Sequence, residues 1–510
     1  MKISSLVSFA VMAVAHAADY SGDLRPQVHF SPPTNFMNDP NGLFFDDRKG
    51  IYHLYYQYNP SGLVAGNQHW GHATSRNLYH WDHHPIAISP SHAEEYIFSG
   101  SAVLDRDNTS GFFPDQDDGV VAIYTVDTPT SETQHIAYSR DGGYTFTKYA
   151  DNPVINSTST DFRDPQVVWH AETRRWVMAI AYAADRKIGF FTSPNLREWT
   201  HASNFTQEGL PGTEFECPNM VRFTVADGST RDVLFISVNP GAPLGGSGTF
   251  YLVGQFDGTS FTSESVNETL YNFAKDNYAS QWFSGVAPGA APLSIGWANN
   301  WQYTQEVPTG PREGWRGAMS LPREHELRQV GEKWVVTQRP VGDLRPVRGK
   351  RVVSRRLRDG EVSASLRGVP SKAVYFDVVV SGVPASQGSG TVSFNFTSSS
   401  GEHVDGGVEL DTGRFWLNRA GTHLFTTQDN VNYMPRFETP VAVEDGVVRF
   451  SGVFDRSLLE VFLNEELQSG TMVYYPTAPL DRLVFSAEGL GNGTVVQVDV
   501  WGLRSGWNGV

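Results

Sequence analysis

A single cysteine, Cys217, occurs in the 510 residues, so no disulfide within the chain can brace it and stability has to come from packing. Basic residues are also short, with Lys and Arg totalling 39 against 55 Asp and Glu, a formal charge of −16. Binding phosphate backbones needs a basic footprint, and its lack argues against nucleic acid as a partner. Beyond the first residues no apolar run is long enough to span a membrane. Long helical periodicity is missing, as is a Gly-rich loop opening a helix to hold phosphate. His69, His72, His80, His83, His84 and His92 are crowded together but show neither His-Glu-x-x-His nor Cys-paired spacing. They read as solvated or hydrogen-bonded histidines, and neither a metal nor another cofactor is expected.

What is present is aromatic and apolar, 13% and 40% of the chain respectively. The first residues read as a secretory signal peptide over 1–17: Lys2 supplies positive charge, Val7 to Val14 an apolar stretch, and Ala15-His16-Ala17 a small-residue cleavage site. The expected location is therefore outside the cell or in its wall. Asn-x-Ser/Thr sequons at Asn108, Asn156, Asn204, Asn267, Asn395 and Asn492 are open to glycosylation in such a chain.

Short alternating runs such as Ile51-Tyr52-His53-Leu54-Tyr55-Tyr56 and Arg175-Trp176-Val177-Met178-Ala179-Ile180 recur between Gly, Asn, Asp and Pro turns, so the chain reads as all-β. A repeat lies beneath them. Thr74-Ser75-Arg76-Asn77-Leu78-Tyr79-His80-Trp81 matches Thr192-Ser193-Pro194-Asn195-Leu196-Arg197-Glu198-Trp199, with looser copies ending at Phe146 and Phe261. A second series, Asp39, Ser99, Asp164, Glu216 and Asp276, keeps the same step of roughly 50 to 65 residues. That step accommodates one four-stranded propeller blade, and a five-bladed β-propeller is expected over residues 18–338. A connection follows at 339–350. Alternating strands without the period, such as Ala373 to Val380 and Leu458 to Leu463, then predict a C-terminal β-sandwich over 351–510.

A propeller gathers equivalent positions of its inner strands around one channel, which would bring Asp39, Asp164 and Glu216 together as candidates for acid and base work. Taken singly, an Asp before Pro is an ordinary turn residue; the shared period sets these apart. Cys217, with no His or second Cys beside it in sequence, reads as a packing residue. Asp276 is in phase, but the repeat would place a Ser there as readily, and it is not counted with the site.

Residues 30–42 read Phe-Ser-Pro-Pro-Thr-Asn-Phe-Met-Asn-Asp-Pro-Asn-Gly. This segment closely resembles the Trp-Met-Asn-Asp-Pro-Asn-Gly signature of glycoside hydrolase family 32, which includes invertases, inulinases and fructosyltransferases. Further matches follow in the family's order: Gln57-Tyr58-Asn59-Pro60, Trp70-Gly71-His72-Ala73, Phe98-Ser99-Gly100-Ser101, Phe162-Arg163-Asp164-Pro165, Glu216-Cys217-Pro218 and Trp297-Ala298-Asn299-Asn300-Trp301. The resemblance covers nearly the whole chain after the leader.

It implies retaining hydrolysis of β-fructofuranosides such as sucrose and short fructo-oligosaccharides, with Asp39 as nucleophile, Glu216 as acid and then base, and Asp164 as transition-state stabiliser. A retaining glycosidase holds its two carboxyls about 5 to 5.5 Å apart, one ionised and one protonated. Asn38 and Asn41 are expected to keep Asp39 ionised by hydrogen bonding, and an acidic optimum follows from the need for a protonated Glu216. Arg163 reads as an anchor for sugar hydroxyls or a catalytic carboxylate, against an ordinary surface Arg. Gln57, Phe98, Ser99 and Trp301 are carried over as pocket lining, although Phe98 and Trp301 taken alone would be core aromatics.

Two departures stand out: Phe36 where the family has Trp, and Ala65 where many members carry a Trp beside the pocket, which would widen the leaving-group side. Rival readings are a fructosyltransferase using the same intermediate, an exo-inulinase, an inverting arabinan-type hydrolase on the same propeller, and a non-catalytic fructoside-binding lectin. The sandwich's role is open between support, homodimer formation and substrate contact.

Overall fold

The computed structural model describes residues 19–287, 289–384 and 388–507; the leader expected at 1–17 lies outside them. Five sheets follow one another along the chain, each laid down largely as an antiparallel meander. Their first strands are β1 (Asn35–Asp46), β2 (Tyr96–Leu104), β3 (Phe162–His170), β4 (Phe215–Thr224) and β5 (Tyr278–Trp282). Neighbours in this series touch in order, and β5 returns to β1, so the five strands close a ring. The short strand Trp315–Arg316 pairs parallel with the start of β1 and ties the end of the series to its beginning.

Packing follows the same order, because each sheet buries its faces against its two neighbours. Phe44 and Tyr55 of the first sheet meet Ala122 and Tyr124 of the second, and Ile123 of the second meets Met178 and Ile180 of the third. Ala179 and Phe190 meet Leu234 and Phe250, Phe223 and Phe235 meet Trp282, and Ile295 and Met319 return to Leu43 and Leu54. This is the propeller arrangement, and the all-β fold class is observed; among the described residues the α-helix is confined to Thr309–Glu313.

The repeat seen in sequence has a local cause. The Asn77 side-chain oxygen accepts from the N–H groups of Tyr79 and His80 at 3.1 and 3.0 Å, and Asn195 accepts from those of Arg197 and Glu198 at 3.1 and 2.9 Å. Asp141 and Asp257 build comparable turns in the second and fourth sheets. Asx turns of this kind need a short acceptor side chain at one position, and Trp81 and Trp199 follow, each donating its indole N–H back to a leucine carbonyl of its own turn.

Beyond Arg339–Pro340, which pairs with Arg323–Glu324 in the fifth sheet, the 3₁₀ turn Val341–Leu344 leads to Arg348–Leu357, a strand of the second unit. That unit is a sandwich of two six-stranded antiparallel sheets. Its strand Val374–Ser381 alternates buried residues with half-buried or exposed ones, as period-two patterning over one core requires. Phe376, Phe394, Phe450 and Phe485 fill the space between the sheets.

Buried charge joins the two units. The Asp455 carboxylate accepts from the backbone N–H groups of Gln27, Val28 and His29 and lies 2.9 Å from the His29 ring. Glu460 takes the Arg323 guanidinium and the Leu321 N–H. Asp276 pairs with Arg419 at 2.8 Å and accepts from Val473 N at 2.9 Å and from the Tyr303 hydroxyl.

Candidate active site

Every inner strand breaks register near its beginning. The shift falls between Met37 and Pro40 in β1, Ile97 and Gly100 in β2, and Glu216 and Asn219 in β4; it falls between Tyr278 and Gln281 in β5, and opposite Ala179 to Ala181 in β3, which brackets Asp164-Pro165. A bulge re-aims side chains and tolerates a missing N–H, which is why Pro40, Pro165 and Pro218 can sit inside strands here. Asp164, Cys217 and Ala279 adopt left-handed backbone, with φ of 64°, 44° and 50°. These positions are therefore structural equivalents in successive sheets. Residues at these bulges, Asp39, Ser99, Asp164, Glu216 and Tyr278, line one cavity of about 760 Å³.

Asn38, Asp39, Gln57, Phe98, Ser99, Arg163, Asp164, Glu216 and Trp301 all line this cavity. Asn41 does not. It is fully buried behind the wall; with its amide set to suit both neighbours, the oxygen accepts from the Gln57 side chain and backbone N–H at 3.0 Å each, and the nitrogen donates to Pro40 O at 3.1 Å. The expectation that Asn41 hydrogen-bonds Asp39 is corrected accordingly: the Pro40 kink turns it away.

Asp39 accepts a 2.8 Å hydrogen bond from the Ser99 hydroxyl. Asp164 accepts one of 2.9 Å from Cys217 N, and its own N–H donates to Thr125 Oγ1 at 3.2 Å, holding the left-handed turn. The Cys217 thiol lies 3.5 Å from both the Asp39 and Asp164 carboxylates. Burial and the flanking carboxylates push that thiol well above its ordinary range, so it is an inert proton-bearing spacer rather than a nucleophile.

Glu216 is held from two sides. Arg163 Nε donates to Oε1 at 3.2 Å and the Tyr278 hydroxyl donates to Oε2. Arg163 also donates to Glu132 at 3.0 Å and to Glu214 at 2.8 Å, with Asp161 at 3.7 Å. The reading of Arg163 as an anchor for a neighbouring carboxylate describes this contact; a surface Arg does not.

Burial raises the acids, and their neighbours then act on each. The Asp39 carboxyl is pushed up to about 6 by burial and by the Asp164 charge, while Ser99, Asn38 and Cys217 pull it down. Glu216 is pushed up to about 7, first by burial and then by Asp164 and Asp39, against Arg163 and Tyr278. Asp164 is raised by burial and held back chiefly by Arg163. Burial thus raises all three acids, and each meets its own donors: Ser99 at Asp39, Cys217 N at Asp164, and Arg163 with Tyr278 at Glu216.

Phe98 and Trp301 supply apolar wall. Trp301 packs on Trp297, ring centroids 4.9 Å apart, and on Phe36 at 6.0 Å. The indole missing at Ala65 leaves the rim to a backbone contact, Ala65 N to Gln305 Oε1 at 2.9 Å. Reading by sequence period misses Tyr278; Asp276, in phase but not counted with the site, is buried in the ties to the sandwich. The φ-positive bulge of β5 shows why: the position equivalent to Glu216 is Tyr278. Glu132 and Glu214 are also missed, since a lone Glu, within a strand at Glu132 and just before one at Glu214, carries no motif. No group of His, Cys, Asp and Glu fit to hold a metal is found among the described residues.

The glycosyl hydrolases family 32 N-terminal domain matches residues 29–340 and the glycosyl hydrolases family 32 C-terminal domain residues 344–502. An invertase of Debaryomyces hansenii is 36% identical, the match covering 93% of this chain and 94% of that one. An extracellular exo-inulinase of Meyerozyma guilliermondii is 36% identical over 88% of this chain and 90% of its own. The structure of fructofuranosidase from Schwanniomyces occidentalis complexed with fructose superposes with a TM-score of 0.86 at 32% identity, covering 96% of this chain and all of that one.

Proposed function

This chain belongs to glycosyl hydrolase family 32 and is a fructoside-cleaving glycoside hydrolase, a β-fructofuranosidase, and we propose that it works with retention through Asp39, Glu216 and Asp164. The carboxylate of Asp39 attacks the anomeric carbon of a terminal fructose. The bond from that carbon to the leaving oxygen breaks, and the Glu216 proton passes to that oxygen. Glu216, now a carboxylate, takes a proton from water; the hydroxyl oxygen adds to the anomeric carbon and the Asp39 ester bond is released. Asp164, held by Cys217 N, accepts from sugar hydroxyls as the ring flattens. Arg163 and Tyr278 orient Glu216 for both proton transfers.

The observation that carries this reading is the convergence of Asp39, Asp164 and Glu216 on one cavity, with Ser99 donating to Asp39, Cys217 N to Asp164, and Arg163 and Tyr278 to Glu216. Catalysis needs Asp39 ionised and Glu216 protonated, so kcat/KM is expected to be bell-shaped with its maximum on the acidic side. The chain is further proposed to be secreted, on the leader pattern of residues 1–17 and the similarity to an extracellular relative.

The test is a product time course on sucrose, a short fructo-oligosaccharide and inulin, run on the wild type and on Asp39→Ala and Glu216→Ala. Wild type releases fructose from the chain end, and each variant loses about three or more orders of magnitude in turnover, because nucleophile and acid act as a unit. Near-normal turnover of either variant would remove its residue from the mechanism. Fructosylated products outweighing free fructose at low sucrose would reassign the enzyme as a transferase.

A further inference from the structure

The cavity holds more carboxylates than the reaction uses, and they converge on one cation. Arg163 donates from Nη2 to Glu214 at 2.8 Å, from Nη1 to Glu132 at 3.0 Å and from Nε to Glu216 at 3.2 Å, with Asp161 at 3.7 Å. Glu214, the residue just before β4, and Glu216, the second residue within it, flank Phe215, which is buried in the core. Glu132 is almost fully buried, its second oxygen accepting from Phe162 N at 2.5 Å, and burial pushes it up to about 8 against the pull of Arg163. Glu214 stands at the cavity rim, its side chain 36% exposed.

We propose that Glu214 is a positioning residue that acts through Arg163: by pairing with one arm of the guanidinium it offsets the cation facing Glu216, and so sets the pH at which the acid/base gives up its proton. This rests on the assignment of Glu216 as acid/base. An uncompensated guanidinium at hydrogen-bond distance would hold Glu216 ionised, and an ionised Glu216 cannot protonate the leaving oxygen. The other groups facing Glu216 are Asp164, Asp39, Tyr278 and the Cys217 thiol; those facing Arg163 are Asp161, Glu132, Asp164 and, farther off, Asp127. None of them occupies the Nη2 arm that Glu214 takes.

The experiment is the pH profile of kcat/KM on sucrose for wild type, Glu214→Gln and Glu214→Asp, with Glu216→Ala as reference. Gln keeps an acceptor for Nη2 and removes the charge, so its alkaline limb moves to lower pH by about half a unit to one unit, the size expected of a charge partly screened by solvent. Activity at the acid end of the profile stays within about threefold of wild type by the same argument. Asp keeps the charge and returns the limb toward its wild-type position. A Gln profile that superimposes on wild type, falls equally at every pH, or moves to higher pH would overturn the proposal. Full activity in Glu216→Ala would instead overturn the acid/base assignment, so the two failures are told apart.

Discussion

Glu216 sits among opposed influences, and its useful range follows from their balance. Burial, Asp164 and Asp39 favour its protonated form, while Arg163 and the Tyr278 hydroxyl favour the ionised one. Tyr278→Phe removes a donor without removing bulk. The expected outcome is an alkaline limb of kcat/KM displaced to higher pH, opposite in sign to Glu214→Gln, with a reduced kcat from the looser carboxyl; profiles of the two variants side by side check it. A Tyr278→Phe limb that moves downward would mean the hydroxyl does not stabilise the carboxylate. The same scale shows where legibility stopped. Asp39, Asp164 and Glu216 are readable because each stands beside a proline or in a motif, whereas Tyr278 has neither. Asp276, a few positions before it, keeps the spacing but is turned into a buried ion pair with Arg419, since the register of β5 decides which residue faces the channel.

Among elements, the bulged beginnings of the five inner strands do the positioning. Their prolines mark bulges in three of the five, and the Asx turns before the outer strands mark the repeat, so both features are visible as residue patterns with a backbone cause. The loop between Ile51–Asn59 and His69–Ser75 borders the cavity. Ala65 lines the cavity there beside Trp301 and Gln305, and a large ring at this point would fill the leaving-group side. For Ala65→Trp the expectation is a rise in KM for a fructo-oligosaccharide of about five-fold or more relative to that for sucrose, the scale of about 1 kcal/mol of lost fit. Steady-state kinetics on both substrates measures it, and an equal effect on the two would show that the loop does not sort leaving groups by size.

At the scale of the whole molecule, propeller and sandwich are locked by buried charge, and this makes their union pH-dependent. Burial alone would lower His29, but hydrogen bonds and charge from Asp455 and Glu460 outweigh it and raise the ring to about 9. A histidine raised in the folded state contributes stability that is complete below its unfolded value near 6.5 and lost as pH climbs through about 9. The shift corresponds to about 3 kcal/mol. Thermal unfolding between pH 6 and 10 is expected to show a falling Tm across that window in the wild type. His29→Gln should start from a lower Tm and show a flatter slope. Equal slopes would mean that the ring does not carry a proton in the folded protein.

Composition and period were enough, by themselves, to determine an all-β chain of propeller followed by sandwich, and local motifs to single out Asp39, Asp164 and Glu216, because those features arise from short-range causes: strand alternation, turn chemistry and residue types in short runs. Only the tertiary structure decided that Asn41 backs the wall instead of facing the sugar, that Tyr278 rather than Asp276 completes the ring, and that one guanidinium is shared among Glu132, Glu214 and Glu216. Those outcomes depend on where a bulge falls and on which side chains from distant strands meet, and neither is encoded in any local stretch of residues.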